Sequence, residues 1–136
     1  MTQPMNAGAP AGGVRLSSVI LIVDDEAESR EALARVLAAE GYTVRTAADA
    51  HQATQRMAHE AIDIALLDID LPHMPGDSFA TFVHLRYPRT RIVFISGQYD
   101  MVDPQRFGED AIYFRKPIDI PALLDALRNH PPAALT

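Results

Sequence analysis

Residues 62–76 read IDIALLDIDLPHMPG, and the rest of the chain is arranged around them. Ile64, Ala65, Leu66 and Leu67 form an apolar run, too brief for an ordinary helix and of the right length for a buried strand. The run stops on a carboxylate, Asp68, and Pro72, Pro75 and Gly76 turn the chain within a few residues. Open α/β sheets carry their chemistry where buried strands end beside loops. One such aspartate says little, because strands often end on a polar residue. Three more apolar runs end the same way: Ser17–Val23 on Asp24, Asp25 and Glu26, Arg91–Ile95 on Ser96, and Ala111–Phe114 on Arg115, Lys116 and Pro117.

Helical patterns separate these runs. Ser29, Ala32, Leu33, Val36 and Leu37 share one face of a helix, with Gly41 at its C-cap. Tyr42–Ala47 is a short strand with Val44 inward, and Asp49 caps a helix whose thin apolar stripe is Ala50, Ala53 and Met57. A third helix, Asp77–Tyr87, turns Phe79, Phe82 and Val83 inward and stops at Pro88. The last, Asp119–His130, is capped by Asp119 and packs through Ile120, Leu123, Leu124 and Leu127. Residues 97–110 should hold one more helix, but Gly97, Pro104 and Gly108 leave an irregular loop with at most about two helical turns, around Pro104–Gly108. Strands alternating with helices imply a parallel sheet covered on both faces by right-handed crossovers. All strand carboxyl ends then lie on one edge, which brings Asp24, Asp25, Asp68, Ser96 and Lys116 to a single rim.

A chain of 136 residues suits one domain. Residues 1–16 are rich in Gly, Ala and Pro and read as a disordered leader, 17–130 as the folded domain and 131–136 as a short tail. There is no cysteine, which removes disulfides and thiolate metal sites. The longest apolar run is far too short to cross a bilayer, and no signal-peptide pattern is present; the expectation is a cytoplasmic protein with no membrane partner. A net charge of −6 argues against direct nucleic-acid binding. Arg86, Arg89 and Arg91 read as a solvated helix-to-strand connection, and His51, His59, His73, His84 and His130 as surface residues without ligand spacing.

Three carboxylates at one rim repel one another unless a cation sits among them. A hard divalent ion with oxygen ligands and retained waters suits such a set. Asp68, at the centre, can act as a nucleophile toward a phosphoryl group and form an acyl phosphate. That chemistry asks mainly for positioning and for neutralisation of the equatorial oxygens. The ion serves one oxygen, the Lys116 ammonium a second, and the Ser96 hydroxyl with nearby backbone N–H groups a third.

The ordered motifs LIVDDE, LLDIDLPHMPG, VFIS and YFRKP, spread over Ser18–His130, resemble those of the receiver domain of two-component response regulators. The resemblance implies a flavodoxin-like (βα)5 three-layer sandwich with a parallel five-stranded sheet of order 2-1-3-4-5, here with a short or missing fourth helix. It implies Asp68 as phosphoacceptor, with phosphate coming from a histidine kinase or histidine phosphotransfer protein and Mg2+ required. Asp25 matches the direct metal ligand, Asp24 a ligand acting largely through water, and the Asp70 carbonyl the backbone ligand. Ser96 matches the switch hydroxyl, Lys116 the phosphate-pairing lysine, and Tyr113 the aromatic that swings inward on activation. Pro117 matches a proline that usually follows a cis peptide bond. The side chain of Asp70 and the sequence ISGQY, with Tyr99 beyond the switch residue, depart from the common pattern. The latter is similar to single-domain receivers that carry a Phe-Ala-Thr-Gly-Tyr-like motif, although this chain has Ser96 for Thr and an added Gln98.

The expectation is therefore a single-domain phosphorylation switch with only slow self-catalysed loss of phosphate, not an enzyme, whose output is altered affinity for an unknown protein target or phosphate relay. Two other classes stand beside it. A haloacid-dehalogenase-like phosphatase would use Asp68 and Asp70 as its DxD pair; a receiver-shaped binding module would never be phosphorylated.

Overall fold

Apolar side chains on both sides of a strand require cover on both sides, and the layers of this fold follow from that need. The computed structural model describes residues 18–71, 76–97, 104–108 and 111–129. Among these residues are five strands: β1 (Val19–Val23), β2 (Thr43–Ala47), β3 (Ile64–Asp68), β4 (Arg91–Ser96) and β5 (Ile112–Arg115). All pair in parallel, in the order β2-β1-β3-β4-β5. Central β3 and β4 are buried at every position, whereas edge strands β2 and β5 are mostly half-buried.

Among the described residues four α-helices cover the sheet: α1 (Ala27–Ala39), α2 (Ala50–His59), α3 (Gly76–Arg86) and α4 (Ile120–Asn129). Alternate strand residues feed two cores. Leu21, Val23, Ala65, Leu67 and Phe94 pack with Ala53 and Met57 of α2 and Phe79 and Val83 of α3. Ile20, Ile22, Leu66 and Val93 pack with Leu33 and Leu37 of α1 and Leu123 and Leu127 of α4. This is the doubly wound flavodoxin-like arrangement with strand order 2-1-3-4-5.

The expected punctuation is in place. Gly41, with φ 101°, ends α1 in the left-handed region. Asp49 accepts from the Gln52 N–H at 2.8 Å and Asp119 from the Ala122 N–H at 3.1 Å, capping α2 and α4. Between β4 and β5 only a short 3-10 helix, Pro104–Phe107, is found among the described residues. Phe107 holds it down, edge-on to Phe94 (5.2 Å between ring centroids) and to His84 (6.2 Å).

Several side chains depart from expectation. Ala32 and Phe82 are exposed rather than inward, because each lies at the flank of its helical stripe. Arg91 is buried at the start of β4, where its Nη1 donates to the Ala126 carbonyl of α4 (3.3 Å), so it is no solvated connector. His84 is half-buried against Phe107, while His51 and His59 are exposed. The 1–16 leader, the 131–136 tail, His73, Gln98, Tyr99 and His130 lie outside the described residues.

Candidate functional site

The buried polar residues divide between the two ends of the sheet. Asp24, Asp68 and Ser96 are at the carboxyl rim; Ser18, Asp63, Thr90 and Arg91 are at the opposite one. At the carboxyl rim, Asp68 ends β3 and is 4% exposed. Its Oδ1 accepts from the Asp70 N–H at 2.9 Å, and its Oδ2 lies 3.1 Å from the Lys116 Nζ. Asp24, directly after β1, accepts from the Glu26 N–H through Oδ1 (2.9 Å) and lies 3.4 Å from Lys116 Nζ through Oδ2. Asp25, beside it, is exposed. Each of Asp24, Asp25 and Asp68 offers a carboxylate oxygen, all within 4.8 Å of one another.

Three oxygens converging at this spacing, one of them open to solvent, fit a hard cation that retains several waters. Asp24 is held above the usual carboxylate range chiefly by burial, with the neighbouring Asp68 adding to it; the Glu26 N–H and Lys116 oppose the shift without cancelling it. For Lys116 the largest influence is burial, which works against its charge. The hydrogen bond and charge of Asp68, with the charge of Asp24, outweigh burial and leave the ammonium above its ordinary value. Lys116 is also the only lysine in the sequence, every other cationic side chain among the Lys and Arg being arginine.

The remaining expected residues sit where the topology sends them. Ser96 closes β4, wholly buried, and its carbonyl accepts from the Lys116 N–H at 2.7 Å. The Ile69 N–H donates to the Ile95 carbonyl at 3.0 Å, stitching the loop after Asp68 to β4. Asp70 is exposed, its N–H engaged by Asp68. Tyr113, paired in register with Phe94, is half-buried against the α2–α3 core. The Lys116–Pro117 peptide is cis. The structure thus brings Asp24, Asp25, Asp68 and Lys116 into one cluster, with Ser96 on the adjacent strand end and Tyr113 further along β5.

Two features were not read from the sequence. Arg30 Nη1 donates to the Asp24 carbonyl at 2.8 Å, tying α1 to the loop that carries the acidic pair. An arginine within two turns of an acidic strand end is a weak signal, and its partner is main chain, which no side-chain pattern reveals. The second is a groove of about 530 Å3 that opens beside Asp24 and Lys116, with Ala32, Leu33 and Val36 of α1 on one wall and Pro117, Ile118 and Ile120 on the other. The outward Ala32 belongs to it.

Comparison with known proteins agrees with this geometry. The profile of the response regulator receiver domain matches residues 20–128. The sporulation initiation phosphotransferase F of Bacillus subtilis is 30% identical over 119 residues, which cover 86% of this chain and 96% of that protein. The response regulator protein FleR of Pseudomonas aeruginosa is also 30% identical, but the match spans only 25% of its length. A CheY-like receiver domain protein from Methanospirillum hungatei superposes with a TM-score of 0.77 at 30% identity, covering 83% of this chain and 92% of that one. The response regulator TrrA of Thermotoga maritima, solved in complex with Mg2+ and beryllofluoride, superposes at 0.72 with 26% identity, covering 82% and 97%. No described helix is long and apolar enough to cross a membrane. With this fold, this acidic rim and these relatives, the chain belongs to the response regulator receiver domains of two-component systems.

Proposed function

We propose that the chain is a single-domain response regulator that accepts a phosphoryl group on Asp68 from a histidine kinase or histidine phosphotransfer protein. One observation carries the reading: Lys116 Nζ lies 3.1 Å from Asp68 and 3.4 Å from Asp24, inside a set of three carboxylates whose oxygens lie within 4.8 Å. Asp24, Asp25 and Asp68, with the Asp70 carbonyl, would hold Mg2+. When bound, the ion neutralises negative charge on the phosphoryl oxygens.

An oxygen of Asp68 attacks phosphorus, and the bond from phosphorus to the donor's imidazole nitrogen breaks. Its electron pair stays on that nitrogen, and the product is an acyl phosphate. Lys116 pairs with one phosphoryl oxygen, and the Ser96 hydroxyl reaches another from the end of β4. Ser96 drawn toward the phosphoryl group leaves space that Tyr113 fills from β5, which biases the surface around Gly97 and residues 104–108 between two states. The groove bounded by Ala32, Val36 and Ile118 opens directly beside Asp24 and Lys116. It suits the apolar side chains flanking a donor histidine.

Similarity over nearly the whole length of a sporulation phosphotransferase supports a relay role. A cytoplasmic exchange with a phosphohistidine donor is part of the same proposal. Phosphate-ester hydrolysis by Asp68 and Asp70 is not favoured, because the family matched is a signalling one.

The test is incubation with acetyl phosphate and Mg2+, read by intact mass. The wild-type chain should gain one phosphoryl group, and Asp68→Ala should gain none. An adduct that persists in Asp68→Ala on another residue would refute the assignment, and turnover of a phosphate ester over many cycles would reinstate the phosphatase.

A further inference from the structure

Among the described residues, the large apolar side chains left exposed are Phe82 and Leu85, at 39% and 75%, and both are on α3. Single exposed apolar residues are ordinary; two on one helix face, backed by an ordered aromatic group, are less so. Phe82 stacks on Phe79 with ring centroids 6.0 Å apart and meets Tyr87 edge-on at 6.2 Å. The Arg86 guanidinium lies 4.7 Å over the Tyr87 ring. These contacts fix the rings in place, so a partner would lose little side-chain entropy in ordering them. Aromatic rings with arginine, and no Lys, Glu or Asp, are the composition of an interface centre.

The exposed residues Ser78, Thr81, Phe82 and Leu85 share one face of α3, Ser78 standing three and four residues before Thr81 and Phe82, and Leu85 four and three after them, so that they form a ridge along its outside. Ser78 and Thr81 are small enough to let a second helix approach, and Phe82 and Leu85 supply the apolar contact. Exposed Arg86 and Arg89 stand at the ridge's C-terminal end, and from Ser78 to Tyr99 the sequence holds no Asp or Glu, in a chain of net charge −6. We propose that the outward face of α3 is a docking surface for an acidic amphipathic helix of a partner protein, engaged whether or not Asp68 carries phosphate.

Charge selects that occupant over two others. A second copy docked through the same ridge would offer Arg86 and Arg89 no carboxylate, because Ser78 to Tyr99 holds none. An anionic membrane would attract this corner but repel the chain as a whole. The independence from Asp68 follows from topology. α3 runs back along β3, so Leu85, Arg86 and Arg89 lie toward the end of the sheet where Asp63, Thr90 and Arg91 are buried, away from the acidic rim.

The experiment uses two synthetic stapled helices with the same leucines at i, i+3 and i+7, one flanked by glutamates and the other by lysines. Each is titrated into the 15N-labelled full chain. The glutamate helix should shift the amides of residues 78–90 and bind about tenfold tighter than the lysine helix at low ionic strength. Leu85→Asp should remove the binding, and Arg86→Glu with Arg89→Glu should invert the preference. Leu85, Arg86 and Arg89 are all exposed, so these variants should keep the wild-type fold and melting temperature. Equal binding of the two helices, shifts confined to the groove beside Ala32, a dimer abolished by Leu85→Asp, or Leu85-dependent binding to phosphatidylglycerol vesicles would each overturn the proposal. So would an affinity altered by Mg2+ with beryllofluoride.

Discussion

Lys116 sits among carboxylates that also suit a metal ion, so it acts both as counter-charge and as competitor. Removing its charge should therefore affect two properties in opposite directions. Lys116→Ala should bind Mg2+ about fivefold more tightly, the scale of an ion pair worth about 1 kcal/mol. Without Mg2+ it should be less stable than the parent, because Asp24, Asp25 and Asp68 then repel one another uncompensated. Calorimetric titration and thermal melts with and without the ion check both signs, and weaker Mg2+ binding would show that the lysine does not compete. Asp70 poses a separate question. Its N–H is engaged by Asp68 and its side chain is exposed, so the carboxylate is available to a water approaching the acyl phosphate proposed on Asp68. Asp70→Asn should slow dephosphorylation by about tenfold, a small general-base contribution, and leave the Mg2+ Kd unchanged. An unaltered rate would remove any role for that side chain. Residues of this kind were legible in the sequence because they are reactive groups placed at the ends of apolar runs. Arg30 was not, since it acts on a main-chain carbonyl.

At the scale of the elements, the end of the sheet opposite the site is closed by a polar bolt. The Asp63 Oδ2 accepts from the Val19 N–H at 2.8 Å, the Asp63 carbonyl from the Arg91 N–H at 2.9 Å, and the Thr90 Oγ1 donates to the Ile62 carbonyl at 2.8 Å. These bonds fix the starts of β1, β3 and β4 against one another, so that their far ends meet in register at the acidic rim. Thr90→Val should cost about 1–2 kcal/mol, the loss of a buried hydrogen bond, and Asp63→Ala about 1–3 kcal/mol, because it also takes the acceptor from the half-buried Val19 N–H. Urea unfolding measures both, and acetyl-phosphate labelling of Asp68 in the folded fraction should persist; loss of labelling at unchanged stability would contradict this division of labour. The strands and their order could be read because alternation and length distinguish buried strands from helices. The bolt could not. Asp63 before an apolar run and Arg91 at the head of another look like solvated flanks until the tertiary fold shows what covers them. Ala32 and Phe82 failed for a related reason, since a helical stripe has flanks whose burial depends on the neighbouring element.

Across the whole molecule, the acidic rim joins β1 and β3, and through Lys116 the chain beyond β5, so a ligand there should stabilise the fold as a unit. Anything that binds the folded form alone stabilises it by an amount set by its concentration over Kd, about 2.7 kcal/mol at a hundredfold excess over Kd. For a domain of this size that corresponds to a rise of about 10 °C in melting temperature. Asp25 is the partner to test, since it is exposed and its carboxylate belongs to the cluster. Asp25→Asn should melt like the parent in the absence of divalent ions, within about 0.5 kcal/mol as expected of a surface change. If it weakens Mg2+ binding tenfold, the same ion concentration should give only about 1.4 kcal/mol, or about 5 °C. Sodium chloride at matched ionic strength controls for screening. Equal shifts in the two proteins would place the ion elsewhere and detach the acidic cluster from the fold's response to Mg2+, whereas a halved shift ties the stability of the doubly wound sheet to the three carboxylates at its rim.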